Sequence, residues 1–177
     1  MELKLTYYGD PILRKKADKV EEIDDALREM VERMKEIMLE NRGIGLAAPQ
    51  ANRSLRLFIS KVPQPDPEDP EQYIEGEWIV FINPKLSEPS KESWVAEEGC
   101  LSIPGVYGRV ERPYSITVEW TDLDGNTQKE TFSGLQARCI MHENDHINGT
   151  LFLDRLEAKE KKGLEQALKK VKNQYTS

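Results

Sequence analysis

Both histidines of the chain stand four residues apart, in the run His142-Glu143-Asn144-Asp145-His146. On a helix, side chains at i and i+4 lie one above the other on a single face. Two imidazoles placed that way can grip one metal ion. The Glu143 between them can reach a water on that ion and act as its base. Hydrolysis of a carbonyl compound is therefore the first chemistry to expect.

The run must be helical, and its flanks supply both ends. Ser133 with Gln136 three residues later fits a capping box, and Asn148-Gly149 provides a stop. Leu135, Cys139, His142 and His146 then fall on one stripe, expected to face the core. A catalytic site of this kind wants three protein ligands and an open position. A third His six residues after the second is absent, because that place is Phe152. Glu165, about twenty residues on, is one option for the third ligand and would make the chain a metallo-endopeptidase. Cys139 lies about 10 Å along the helix axis from His146, so one ion could hardly bind both, and a small buried side chain lining the site is the better reading. Cys100, in Glu97-Glu98-Gly99-Cys100-Leu101-Ser102, is the stronger candidate, since a thiolate beside a cation is stabilised. A buried structural cysteine in a loop is its plainer alternative.

Gly43-Ile44-Gly45-Leu46-Ala47-Ala48-Pro49-Gln50 satisfies a dinucleotide-binding pattern in the wrong setting. It follows a charged amphipathic helix, and Pro49 stops a helix from running on. A thin backbone segment close to a substrate, with Gln50 as an amide donor, fits better. A tight packed turn with a solvent-facing Gln is the alternative.

The remaining chain reads as what positions these groups. Its 177 residues are 38% hydrophobic and 32% charged, with net charge −7, which suits one ordinary globular domain over 1–177. That charge disfavours nucleic acid as a general partner. No run has membrane-spanning length, and no secretory or transit segment is evident at the start, so a cytoplasmic location is expected. Asp10-Pro11 opens a short helical turn. Asp24 or Asp25 opens a longer helix, with Leu27, Val31, Met34 and Met38 on its apolar face and Gly43 ending it. Residues 55–60, 78–83, 115–120 and 127–132 read as strands, the last two joined by a turn at Asp124-Gly125. Residues 62–72 read as a solvated loop, and the tail from Asp154 as mostly helical. Strands in the middle and helices at the ends predict an α+β fold, with antiparallel sheets packed around the metal-binding helix and helices near both termini.

Taken in order, Gly43 to Gln50, Glu98 to Ser102 and His142 to His146 resemble the three signatures of the peptide deformylase family. The resemblance runs from Asp10-Pro11-Ile12-Leu13-Arg14 to Leu151-Phe152. It implies removal of the N-formyl group from the initiator methionine of nascent chains. It implies Cys100, His142 and His146 as metal ligands and Glu143 as general acid/base. It also implies that the Gln50 amide and the Leu101 backbone N–H hold the formyl oxygen. The ion would be Fe²⁺ in cells, with Zn²⁺, Ni²⁺ or Co²⁺ in purified samples. A narrow slot between Gly45 and Leu101 would exclude acetyl. Ile44, Leu135 and Cys139 are expected to wall the methionine pocket, with Arg138 at its rim or solvated. The partners implied are N-formylmethionyl peptides, with neither a membrane nor a specific nucleic-acid sequence.

The chain departs from the family pattern at Met141, where Gln is common, at Ile147, where Leu is common, and after Pro104. The first two should alter helix packing only. Lys159, Lys161, Lys162, Lys169, Lys170 and Lys172 give the tail a face that could touch the ribosome near its exit tunnel, although a solvated lysine face explains them as well. A non-catalytic module, with a fourth protein ligand closing the site, is the remaining rival.

Overall fold

A computed structural model describes residues 2–176. The Asp10 carboxylate accepts from Ile12 N–H and opens a 3-10 turn, Pro11–Arg14. Helix α1 (Asp25–Glu40) is capped by Asp24, whose carboxylate accepts from Leu27 N–H at 2.9 Å. Its buried face carries Leu27, Met30, Val31, Met34, Ile37 and Met38. Its end differs from expectation. Arg42, not Gly43, takes the left-handed conformation, at φ 58°. Arg42 and Gly43 N–H then bond back to Leu39 and Met38 carbonyls, closing the helix in the Schellman manner. Gly43 is needed for another reason, since a Cβ there would lie 2.7 Å from Leu101 Cδ1.

Nine strands follow: β1 (Gly45–Ala47), β2 (Leu57–Lys61), β3 (Gln64–Pro65), β4 (Tyr73–Ile74), β5 (Trp78–Ser87), β6 (Ser93–Cys100), β7 (Ile103–Pro113), β8 (Ser115–Thr121) and β9 (Thr127–Ser133). Then come α2 (Gly134–Ile147), α3 (Ala158–Gly163) and α4 (Glu165–Tyr175). A five-stranded sheet runs β1-β2-β5-β8-β9, and two hairpins, β3-β4 and β6-β7, stand apart from it. Pairing between these strands is antiparallel throughout, so the fold is α+β with α2 at its centre.

Alternation along the sheet decides where the helices sit. Leu57, Ile59, Leu46 and Ile82 face α1 in one cluster. Phe58, Ala47, Phe81, Val118, Trp120 and Phe132 face the other way and pack on Ala137, Ile140, Met141 and Ile147 of α2. Met141 and Ile147 are thus buried in helix packing. A third cluster joins β7, the Phe152–Arg155 turn and α4 through Val106, Val110, Phe152, Leu168 and Val171.

Three elements differ from the sequence reading. The loop at 62–72 is folded back as the β3-β4 hairpin, steadied by a Gln64 amide donating to Gln136 Oε1 at 3.1 Å. That contact occupies the side chain expected in the capping box, and Ser133 makes no side-chain cap bond. The helical tail is broken at Gly163-Leu164 into α3 and α4. The β6-β7 hairpin has no counterpart among the strands read from the sequence.

The Asp24 cap is exposed and touches nothing in the site, so it isolates helix initiation. Asp24→Ala should lower the unfolding free energy by about 1 kcal/mol, read as a shifted urea midpoint with an unchanged slope.

Candidate metal centre

Three stretches of chain converge. The 3-10 turn Ala48–Ala51 after β1 buries Gln50. The β6-β7 hairpin carries Cys100 at the end of a strand rather than in a loop. A bulge sits between Glu98 and Cys100, and Cys100 pairs with Ile103, which leaves Leu101-Ser102 as the tip. Helix α2 carries His142, Glu143 and His146, and it ends at Asn148 with Gly149 at φ 74°. Thr150 and Gly149 N–H close that end onto Asp145 and His146 carbonyls.

Ligand atoms of Cys100, His142 and His146 all lie within 4.8 Å of one another. Cys100 Sγ and His146 Nε2 are 3.3 Å apart. This donor set of one sulfur and two nitrogens suits a tetrahedral cation with one corner left over. Among the described residues no fourth ligand-type side chain joins the group, as an enclosed structural site would need. Burial, helped by His142 and Arg112, holds His146 well below the ordinary histidine range, so its ring is in the neutral, ligating form. Burial also opposes charge on His142, but Cys100 and Glu98 overcome it and push that pKa well up. The same negative surroundings favour a cation held by the ring, and the residues present fit the group.

Glu98, read in the sequence only as part of a motif, is the main addition. Its carboxylate is buried and accepts from His142 Nδ1 at 2.9 Å, which aims Nε2 at the cluster. Arg112 binds it through Nε at 2.6 Å and a terminal nitrogen at 2.9 Å, and Arg138 donates at 2.6 Å. Burial alone would raise the Glu98 pKa, but His142 and Arg112 hold it far below the usual carboxylate range. Arg112 also reaches Asp145 of α2, which Arg155 grips from outside. Arg138 lines the cleft, as the rim reading expected, and is not solvated. It is 3% exposed, donates to Val110 and Trp94 carbonyls, and lies 4.4 Å over the Trp94 ring.

A cleft of about 640 Å³ opens beside the cluster. Ile44, Gly45, Gln50, Leu101, Leu135, Cys139, His142 and Glu143 all line it. Leu135 is 38% exposed at its mouth, not turned to the core, because the helix has barely begun there. Gly45 is thin by necessity, since a Cβ would lie 2.7 Å from both Cys139 Sγ and Glu143 Oε2. The Gln50 amide donates to Ser102 Oγ at 3.1 Å and toward Cys100 Sγ at 3.4 Å, while its oxygen accepts from Ala47 N–H. Gln50 is thus no solvent-facing turn residue. Burial pushes the Glu143 carboxyl up to about 7, and its Oε1 has no partner among the described residues. Burial likewise raises the Cys139 thiol, which suits a passive wall. Glu165 is exposed and lines a separate lysine-rich groove with Lys161, Lys162 and Lys169, so it is not the third ligand.

Glu98→Gln removes the charge that aims His142. Affinity for Zn²⁺ or Co²⁺, measured by chelator competition, should fall about 10–100-fold. An unchanged affinity would separate the carboxylate from metal binding.

The sequence matches the polypeptide deformylase family over residues 2–162. A peptide deformylase of Finegoldia magna is 44% identical over 148 residues, covering 84% of this chain and 85% of the relative. One from Synechocystis sp. is 41% identical over 155 residues, covering 88% and 79%. The crystal structure of peptide deformylase from Plasmodium falciparum superposes with a TM-score of 0.87 at 37% identity, covering 97% and 96% of the two chains. No helix among the described residues is long and apolar enough to cross a membrane. The chain belongs to the polypeptide deformylase family, metal-dependent hydrolases that remove the N-formyl group from newly made proteins.

Proposed function

We propose that residues 1–177 act as one catalytic domain, in the cytoplasm, on the formyl group of N-formylmethionyl nascent chains. Cys100, His142 and His146 hold one divalent cation, Fe²⁺ in cells and Zn²⁺, Ni²⁺ or Co²⁺ in purified protein. When bound, the cation supplies a Lewis acid that polarises the formyl carbonyl and acidifies water. The observation that carries the reading is Glu143, which lines the cleft beside three converging ligand atoms and has a buried carboxylate oxygen without a partner among the described residues.

A formamide is a poor electrophile, and the remaining residues answer that. Glu143 takes a proton from the attacking water and delivers it to the departing amine nitrogen. The Gln50 amide and the Leu101 N–H hold the formyl oxygen as negative charge grows on it. Gly45 and Leu101 bound a slot that admits a formyl group and excludes acetyl. Ile44, Leu135 and Cys139 receive the methionine side chain. The lysine face of α3 and α4 suits contact with the ribosome near its exit tunnel.

The test is formate release from a formyl-methionyl peptide, prepared anaerobically, beside its acetyl counterpart. The formyl peptide should turn over and the acetyl peptide should not. Glu143→Gln should keep fold and metal content yet lose about 10²–10⁴ in kcat. Gln50→Ala should lose about 10²–10³. Equal turnover of both peptides, or full activity in Glu143→Gln, would sink the reading.

A further inference from the structure

The cleft has walls that the proposed formyl-methionine placement does not use. Leu5, Tyr7 and Tyr175 line it as well. None of the three signature segments supplies those residues.

Tyr7 and Tyr175 come from opposite ends of the sequence and stack, with ring centroids 4.0 Å apart and planes inclined by 15°. Both are held from outside the cleft. Thr6 N–H donates to the Gln50 carbonyl at 2.7 Å, and Tyr8 N–H donates to the Ser102 carbonyl at 2.8 Å. Successive residues of extended chain point to opposite sides. Thr6 is buried, while Leu5 and Tyr7 line the cleft. Gly9, at φ 106°, then lets the last turn of α4 lie on the backbone, since a Cβ would sit 2.8 Å from Lys172 Cγ and Thr176 Oγ1. The helix that carries Tyr175 is therefore seated on the strip that carries Tyr7, and that strip is bonded to both neighbours of the site.

With the methionine side chain among Leu135 and Cys139, the rest of the peptide must leave on another side. An extended peptide advances about 3.3 Å per residue, and Leu5, Tyr7 and Tyr175 are among the walls of the cleft that neither the formyl slot nor the methionine pocket uses. The geometry points to the Tyr7–Tyr175 pair as a specificity wall that receives an apolar or aromatic side chain downstream of the substrate methionine. This assignment rests on the deformylase reading of the site.

The test compares formyl-methionyl tetrapeptides with Phe or Gly at position two, three or four, alongside formyl-methionyl-alanine. The metal-loaded wild type should favour Phe over Gly at one of these positions. Tyr175→Ala should cut that kcat/KM ratio about five- to tenfold, through KM and not kcat. Tyr175→Phe keeps the ring and should keep the ratio. No preference in the wild type, an unchanged ratio in Tyr175→Ala, or a loss confined to kcat would overturn the assignment. Failure of the wild type to release formate from formyl-methionyl-alanine is a different result, and it would remove the underlying activity itself.

Discussion

Glu98 is a carboxylate buried between two guanidinium groups and one imidazole, and the site is organised around it. Burying an isolated charge is costly, and the cost is offset only when hydrogen bonds and opposite charge surround it. Arg112 and Arg138 meet that condition. They come from β7 and α2, so neutralising Glu98 also locks the hairpin to the helix. The hairpin carries Cys100 and the helix carries both imidazoles. One ionic cluster therefore sets the spacing of all three ligand atoms. The apolar contacts of α2 fix only its distance from the sheet.

The helix itself is unusual in what it hides. Arg138, His142, Glu143, Asp145 and His146 are all buried along α2. Asp145 is matched by Arg112 and Arg155, Arg138 by Glu98 and two carbonyls, and His142 by Glu98. Three buried atoms of the helix find no partner among the described residues, Arg138 Nε, His146 Nδ1 and Glu143 Oε1, and the last belongs to the group that the proposed chemistry uses. That imbalance is tolerable where a group must exchange protons. A carboxyl held near neutrality can both accept and release one.

What could be read from the sequence follows local physics. Helix α1 was legible because Asp24 caps it and one apolar stripe repeats. The three chemical segments were legible because glycine, thiol and imidazole are rare and their spacings are narrow. The β6-β7 hairpin was hidden. The inward positions of β7 include Gly108 and Arg112 alternating with Val106 and Val110, and on β6 only Glu98 is fully buried. A pattern search expects apolar residues there and finds a glycine and charges. The burial of Arg138 is hidden for the same reason. Its burial depends on Glu98, forty residues away, and on Trp94, and no local window contains that pairing. The expected capping box at Ser133 failed because Gln136 was claimed by the distant Gln64.

At Gly45 the backbone lies so close to Cys139 and Glu143 that one added carbon would overlap both. Formyl and acetyl also differ by one carbon. On the proposed placement there is room for a methyl group neither on the wall nor on the ligand. The closeness that excludes the larger acyl group is then the same closeness that seats the Gly45 backbone against the Glu143 carboxylate. Selectivity and tight packing become a single dimension, measured once from each side.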